Sequence, residues 1–271
     1  VLAVLLVAGD DLPVGFDRQI ERSRNVISKS LGGERSLKNE AVSIQQQYYR
    51  ETAARYDGSH MRSDGEHDFA LAFMLSMVRF LGVRSVLDLG SGTGRGLQGV
   101  KTAYPDIHIV GIEPSAALRE VGYAKGLSRE ELMDGDAQHL NFADNEFDLV
   151  CEFGALHHMP DPHKAVSEML RVARVAIFIS DGNNFGQGGA LGRTAKQVLQ
   201  ALHLWKAADF VKTRGKGYAI SKGDGLYYSY SVFSDYARIS QSCKSVHLMN
   251  STRAGRNLYR TASHIALLGI K

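Results

Sequence analysis

From residue 66 onward the apolar positions follow two periods, one of three to four residues that marks helices and one of near-continuous apolar runs that marks buried strands. "HDFALAFMLSMVRFLG" carries Phe69, Phe73, Met77 and Phe80 at helical spacing, and Gly82 supplies a stop. The run from Val83 to Leu89 predicts a buried strand. "GRGLQGVKTAY" predicts a weaker helix ended by Pro105, and "IHIVGIE" a second strand. Pro114 stands where a helix would begin, because a first-turn residue needs no N–H partner, and Gly126 closes that helix. A short strand near Leu132–Met133, a turn at Asp134–Gly135 and a stronger strand at "FDLVCEF" follow. In "DPHKAVSEMLRVAR" the expected cap is Asp161, the first helical residue Pro162, and the apolar stripe Val166, Met169, Leu170 and Ala173. "VAIFIS" is the next strand. This alternation of strand and helix predicts an α/β fold, a doubly wound, mostly parallel sheet covered on both faces.

Two regions break the rhythm. Residues 1–65 precede the first strand and contain a predicted helix in "NEAVSIQQQYYRETAARYD". Their opening run, "VLAVLLVAGD", has no basic residue ahead of it and ends at Asp10, too short to span a bilayer. It is expected to be a buried strand or helix at the edge of the fold, the alternative being a processed or truncated start. Residues 181–244 separate "VAIFIS" from "SVHLMNS" and are too many for one loop. Within them Leu191, Ala195, Val198, Leu202 and Trp205 share one helical face, which predicts an amphipathic helix. "SHIALLGI" reads as a last strand paired antiparallel with "SVHLMNS" at the sheet edge. The expected organisation is an N-terminal helical cap over 1–65 and a main domain over 66–271, with a helical lid inserted at 181–244.

Charge changes this picture little. Across 271 residues, 32 basic and 29 acidic side chains leave a net charge of +3, which gives no reason to expect a polyanionic partner. The local basic cluster in "KTRGKGYAISKGD", with Lys212, Arg214, Lys216 and Lys222, reads as a solvated face in preference to a phosphate-binding one. The two cysteines, Cys151 and Cys243, have no C-x-x-C or Cys/His companion, so no disulfide framework, zinc site or other metal centre is expected, and a reducing, cytoplasmic setting fits. No internal repeat or low-complexity tract is present.

The chemistry concentrates at the strand ends. In open α/β sheets the ligand lies beyond the carboxyl ends of the strands, where strand order reverses. Asp88 precedes Gly90, Gly92 and Gly94, Glu113 follows "IVGI", Asp136 follows the third strand, and Glu152 follows "FDLVC". The dinucleotide fingerprint G-x-G-x-x-G fails, because Arg95 and Leu97 occupy its third glycine position in the two registers open to it. What remains is G-x-G-x-G behind an acid, a turn whose backbone approaches a ligand closely without cradling a pyrophosphate. An anionic Asp88 would repel phosphate and attract an ammonium. Glu113 suits both hydroxyls of a ribose, since an ionised carboxylate only accepts hydrogen bonds. Asp136 could accept from an exocyclic amine while the Ala137 N–H donates to a ring nitrogen. A ligand with ammonium, ribose and adenine but no phosphate is S-adenosylmethionine.

"VLDLGSGTG", "VGIEPS", "DGDAQHLNFADNEFDLV" and "EFGALHHMPDPHKAVSEMLRVAR", in that order, resemble the class I S-adenosylmethionine-dependent methyltransferases over roughly residues 66–180, and more loosely to the C-terminus. The resemblance implies a Rossmann-like, seven-stranded sheet with an antiparallel last strand. It implies Asp88, Gly90 and Gly92 at the methionine end of the cofactor, Glu113 on the ribose, and Asp136 with Ala137 on the adenine. Ser91, Gly94, Pro114, Glu152 and Phe153 complete the expected cofactor set. "YYRETAARYD" resembles the family's N-terminal helix that closes over the cofactor, which implies Tyr48 and Tyr56 near it. The chain departs from many relatives in lacking a Pro-Gly-Gly turn before the fifth strand, where "RVARVAIFIS" runs on.

Methyl transfer from a sulfonium is an in-line displacement on an already activated carbon, so the protein has to position the nucleophile and help a hydroxyl lose its proton. His157 and His158 follow "EFGAL" at the crevice and are the candidate bases, the alternative being that they order the loop. Tyr227, Tyr228 and Tyr230 in "DGLYYSYSVFSDYAR", together with Asn183, are the expected acceptor contacts, with ordinary packing of the insertion as the alternative. Asn184 has a similar standing, while Met159 and Trp205 read as packing residues. "EFGA" replaces the Asn/Asp-Pro-Pro-aromatic run of many base-modifying relatives, which argues against nucleic acid. The expected function is methyl transfer to a small-molecule acceptor, on oxygen, with S-adenosylhomocysteine as product and no membrane partner. The alternatives are a catalytically silent cofactor-binding module in a partner complex and, weakened by the failed fingerprint, a nicotinamide dehydrogenase.

Overall fold

The computed structural model describes residues 33–60, 65–252 and 254–271; the apolar run at 1–10 lies outside them. The chain divides into two compact units, Val1–Ser43 and Ile44–Lys271, and the described part of the first is the opening of one helix, α1 (Gly33–Thr52). After a single turn at Ala53–Arg55 come α2 (Tyr56–His60) and α3 (Glu66–Phe80). The alternating core follows as β1 (Ser85–Leu89), α4 (Arg95–Ala103), β2 (His108–Ile112), α5 (Ala116–Ala124), β3 (Leu132–Met133), β4 (Phe147–Phe153), α6 (Pro162–Val172) and β5 (Ala173–Gly182). The insertion holds α7 (Ala190–Ala201), α8 (Trp205–Lys212), a hairpin of β6 (Tyr218–Ser221) and β7 (Gly225–Tyr228), and α9 (Tyr236–Ser242). β8 (Ser245–Asn250) and β9 (His264–Ile270) complete the main sheet.

That sheet has seven strands in the order β3-β2-β1-β4-β5-β9-β8. The pairs from β3 through β5 are parallel, and β9 runs antiparallel to both β5 and β8. Strand order reverses at β1, so the turns after β1 and β4 flank one crevice. Both faces are covered, which is why the strands read as apolar runs without alternation. Leu87, Leu89 and Val150 pack on one face with Val166 and Met169 of α6, whereas Val86, Leu149 and Phe178 pack on the other with Met74 and Val78 of α3. The α6 signals hold up to the last position: Asp161 accepts from the Lys164 N–H at 3.1 Å, Pro162 opens the helix, and Val166, Met169 and Leu170 are buried, while Ala173 of the predicted stripe already begins β5.

Three local expectations are corrected. α3 buries Ala70, Met74 and Val78, one position round from the predicted stripe, leaving Phe69 and Phe80 55% and 77% exposed. The small Ala70 and flexible Met74 fit closely over β-sheet side chains, while Phe73 still reaches Phe178 from the flank with ring centroids 6.3 Å apart. Pro114 lies outside α5, whose cap is Ser115. In the insertion the helix stops at Ala201, and Leu202 and Trp205 fall beyond its end, where His203 takes a left-handed φ of 57°. Its apolar stripe faces out, with Leu191 90% exposed. The opposite, polar face is the tethered one: Gln197 donates to the carbonyls of Phe185 and Arg260, and Lys196 to that of Gln187.

Candidate active site

β1 delivers Asp88 and then turns at once. Gly90 and Gly92 have φ of +66° and +55°, a left-handed conformation that side chains strain to adopt, and at Gly90 an added Cβ would also overlap the Ala155 methyl. The N–H groups of Gly90 and Ser91 donate to the Ile112 carbonyl, which ties the turn to the end of β2. Glu113 completes the tie, accepting from the Gly92 N–H at 3.0 Å and the Ser115 N–H at 2.8 Å. Burial pushes both carboxyls up, Asp88 to about 7 and Glu113 to about 7, against the pull of their hydrogen bonds.

A cavity of about 610 Å³ opens over this turn, within the roughly 300–1,000 Å³ typical of small-molecule sites. Asp88, Gly90, Ser91, Gly92, Phe153 and Tyr56, all in the expected cofactor set, line it. His157, His158, Tyr227, Tyr228 and Tyr230 also line it, so β4 and the inserted hairpin meet here. The remaining predicted residues lie elsewhere. Glu113 and Gly94 hold the turn from behind, and Pro114 is exposed. Asp136 accepts from the Gln138 N–H and from His139 Nδ1, both at 2.9 Å; burial works to raise its carboxyl, but these bonds outweigh it and hold it low. Ala137 is buried in the core. Glu152 is fully buried, and its two oxygens accept from the N–H groups of Ala155 and Ser180, fastening the ends of β4 and β5 together. Tyr48 packs on Gly225 at the hairpin turn.

Asn183, expected to touch an acceptor, instead roots the insertion. It is wholly buried, its amide donates to the carbonyls of Leu258, Tyr259 and Ala262, and its oxygen accepts from the Phe185 N–H and Ser231 hydroxyl. Its neighbour Asn184 lines the cavity, with a buried Nδ2 that has no hydrogen-bond partner among the described residues. Tyr218 and His264 also line the cavity, and the Tyr218 hydroxyl and His264 Nε2 are likewise buried without partners among the described residues. Burial, reinforced by His67 at a ring-centroid distance of 4.7 Å, lowers His264 to about 3, so this imidazole is neutral. Such unpaired polar atoms are costly in a folded interior and are expected where a ligand supplies the missing bond. Sequence reasoning missed Tyr218, His264, His67 and Asp224. Only Asp181, at the carboxyl end of β5, carried a positional signal.

The histidine pair sits in a carboxylate frame. His157 Nδ1 lies 2.7 Å from Asp181 Oδ1, and its Nε2 is 3.3 Å from Asp224 Oδ2. His158 Nδ1 donates to the Leu226 carbonyl at 2.6 Å, and its Nε2 is 3.4 Å from Asp224 Oδ1. Burial would lower His157, but Asp181 and Asp224 more than reverse this and hold it well above the usual histidine value. Asp224 reaches the pair because the hairpin is pinned, with the Leu226 N–H donating to Gln45 Oε1 at 2.6 Å.

A sheet of this order, with an acidic strand end and a G-x-G-x-G turn at its reversal point, has the Rossmann-like fold of class I methyltransferase domains. Residues 87–176 match the family model of the methyltransferase domain. The demethylmenaquinone methyltransferase of Roseiflexus sp. is 35% identical over 95 residues, which cover 35% of this chain and 40% of that protein. That of Staphylococcus aureus is 36% identical over 104 residues, covering 36% and 43%. The matches thus span about two fifths of the length of these relatives. Among solved structures, the magnesium protoporphyrin IX methyltransferase of Synechocystis with bound SAH superposes with a TM-score of 0.53 at 14% identity, covering 85% of this chain and 99% of that one. At that identity the likeness is one of fold.

Proposed function

We propose that the protein transfers the methyl group of S-adenosylmethionine to a small-molecule acceptor, on oxygen. The observation that carries the reading is that Asp88 and the glycine turn line the same cavity as three tyrosines and the histidine pair. An acceptor oxygen would form the new bond to the methyl carbon, the carbon–sulfur bond would break with its electron pair going to sulfur, and the hydroxyl proton would pass to solvent. Sulfonium becomes neutral thioether, so no further electrophile is needed. Asp88, once ionised, pairs with the ammonium of the cofactor. Glu113 accepts two N–H groups and so holds the glycine turn that faces the cofactor. The acceptor hydroxyl lies against His157, His158 and Asp224, which supply the electrostatic help it needs.

The relatives make demethylmenaquinone a first acceptor to assay. A cytoplasmic setting is part of the reading, supported by the two unpaired cysteines; among the described residues no helix is long and apolar enough to cross a membrane. The test is calorimetry with S-adenosylhomocysteine and NADH, followed by labelled S-adenosylmethionine with demethylmenaquinone and with phenolic acceptors. Uptake of the nucleoside and a labelled ether are expected, and a labelled ring-methyl product from demethylmenaquinone would place the transfer on carbon and overturn the oxygen assignment. Binding of NADH alone would refute the reading, and cofactor uptake without any methylated product would favour the silent module.

A further inference from the structure

We propose that His157, His158 and Asp224 form a binding site for a divalent transition-metal cation of the zinc type, with its open position on the acceptor side of the cavity. The three residues offer donor atoms that all lie within 4.8 Å of one another. Two imidazoles and one carboxylate, with a position left open, are the donor set of catalytic zinc and non-haem iron sites.

The hydrogen bonds around the cluster fix which atoms face inward. The Leu226 carbonyl can only accept, so His158 carries its proton on Nδ1 and turns Nε2 toward Asp224. The Asp181 carboxylate does the same for His157. A carboxylate or carbonyl on the far ring nitrogen is what orients a metal-ligating histidine. With the far nitrogens so engaged, Nε2 of both rings faces the Asp224 carboxylate, and a dication placed between them would be shared by all three groups.

His157 Nε2 lies 3.3 Å from Asp224 Oδ2 and His158 Nε2 lies 3.4 Å from Asp224 Oδ1, so each ring faces its own carboxylate oxygen. Both separations exceed the about 2.7–2.9 Å of a charge-assisted N–H···O bond. Ligand atoms held about 2.0–2.1 Å from one tetrahedral ion lie about 3.3–3.4 Å apart, so a turn of the carboxylate that presents one oxygen to both rings would seat the ion. The side chains of His157 and His158 are only 21% and 12% exposed, and all three residues line the cavity that also holds Asp88 and the glycine turn. A cation here would lower the pKa of a hydroxyl held at its open position, and the released proton would pass to solvent. That consequence rests on the methyl-transfer reading; cation binding itself does not. The sequence offered no ligand spacing to read, because His157 and Asp224 are 67 residues apart.

The test strips purified full-length protein with a chelator and titrates it with Zn²⁺ by calorimetry, in parallel with S-adenosylhomocysteine. One equivalent of zinc should bind. His158→Ala and Asp224→Asn should each weaken it at least about tenfold, the scale on which even outer partners of metal ligands act. His247→Ala, on the exposed face of β8, should not. X-ray absorption of the wild-type zinc complex should report two imidazole nitrogens among the ligands, a readout independent of whether either variant folds. Cofactor uptake without zinc uptake, zinc binding unchanged in both folded variants, or a zinc shell without imidazole would each overturn the site while leaving the methyl-transfer reading intact. Zinc uptake without cofactor uptake would do the reverse.

Discussion

Burial holds the Asp88 carboxyl at about 7, so below that pH the ligand-free site is neutral where a cationic ligand needs charge. The sign follows: cofactor affinity should rise as pH climbs toward 7, because below it the group must first lose a proton, at ~1.4 kcal/mol per pH unit. Glu113 titrates in the same range and adds to the slope. Calorimetry in buffers of different ionisation enthalpy should detect proton release on binding, reduced in Asp88→Asn, whose affinity should fall about 10–100-fold with the loss of a charge-assisted bond. Asn183 gives a contrasting prediction. Its five hydrogen bonds join the end of β5 to the 257–262 turn and to Ser231, so Asn183→Ala should cost about 2–4 kcal/mol of stability in denaturant titrations. Asp88 was legible because it stands at a strand end beside glycines. Asn183 stands at a strand end too, and nothing in its neighbours says that three carbonyls from some 75 residues away will surround its amide.

At the scale of elements, periodicity located helices well and their buried faces less well. On α3 the heavier residues, Phe69 and Phe80, suggested the inward stripe, yet the fully buried positions are Ala70 and Met74. Met74→Ala should therefore cost about 2–5 kcal/mol, and Phe80→Ala about 0.5 kcal/mol or less, when unfolding midpoints are compared. The same error of face occurs on α7, where polar tethers decide the orientation. There Leu191→Ser should leave stability within about 0.5 kcal/mol. α6 was read correctly in cap, first residue and the stripe up to Leu170, because its signals are local and agree with one another.

For the whole molecule, the last strand in sequence is an inner strand of the sheet. β9 lies between β5 and β8, and Ile265, Ala266, Leu267 and Leu268 are at most 1% exposed. Removing residues 263–271 should abolish cooperative thermal unfolding followed by circular dichroism, since β8 would lose its neighbour and β5 would be left as a bare edge. The sequence by itself determined the sheet, its antiparallel end and the acid-and-glycine turn, because strand runs, helix caps and left-handed glycines depend on residues a few positions apart. Only the tertiary structure decided what faces that turn. Asp224, Tyr218 and His264 come to the cavity from a hairpin and a distant strand, and no local pattern encodes a meeting of side chains that long-range packing alone brings about.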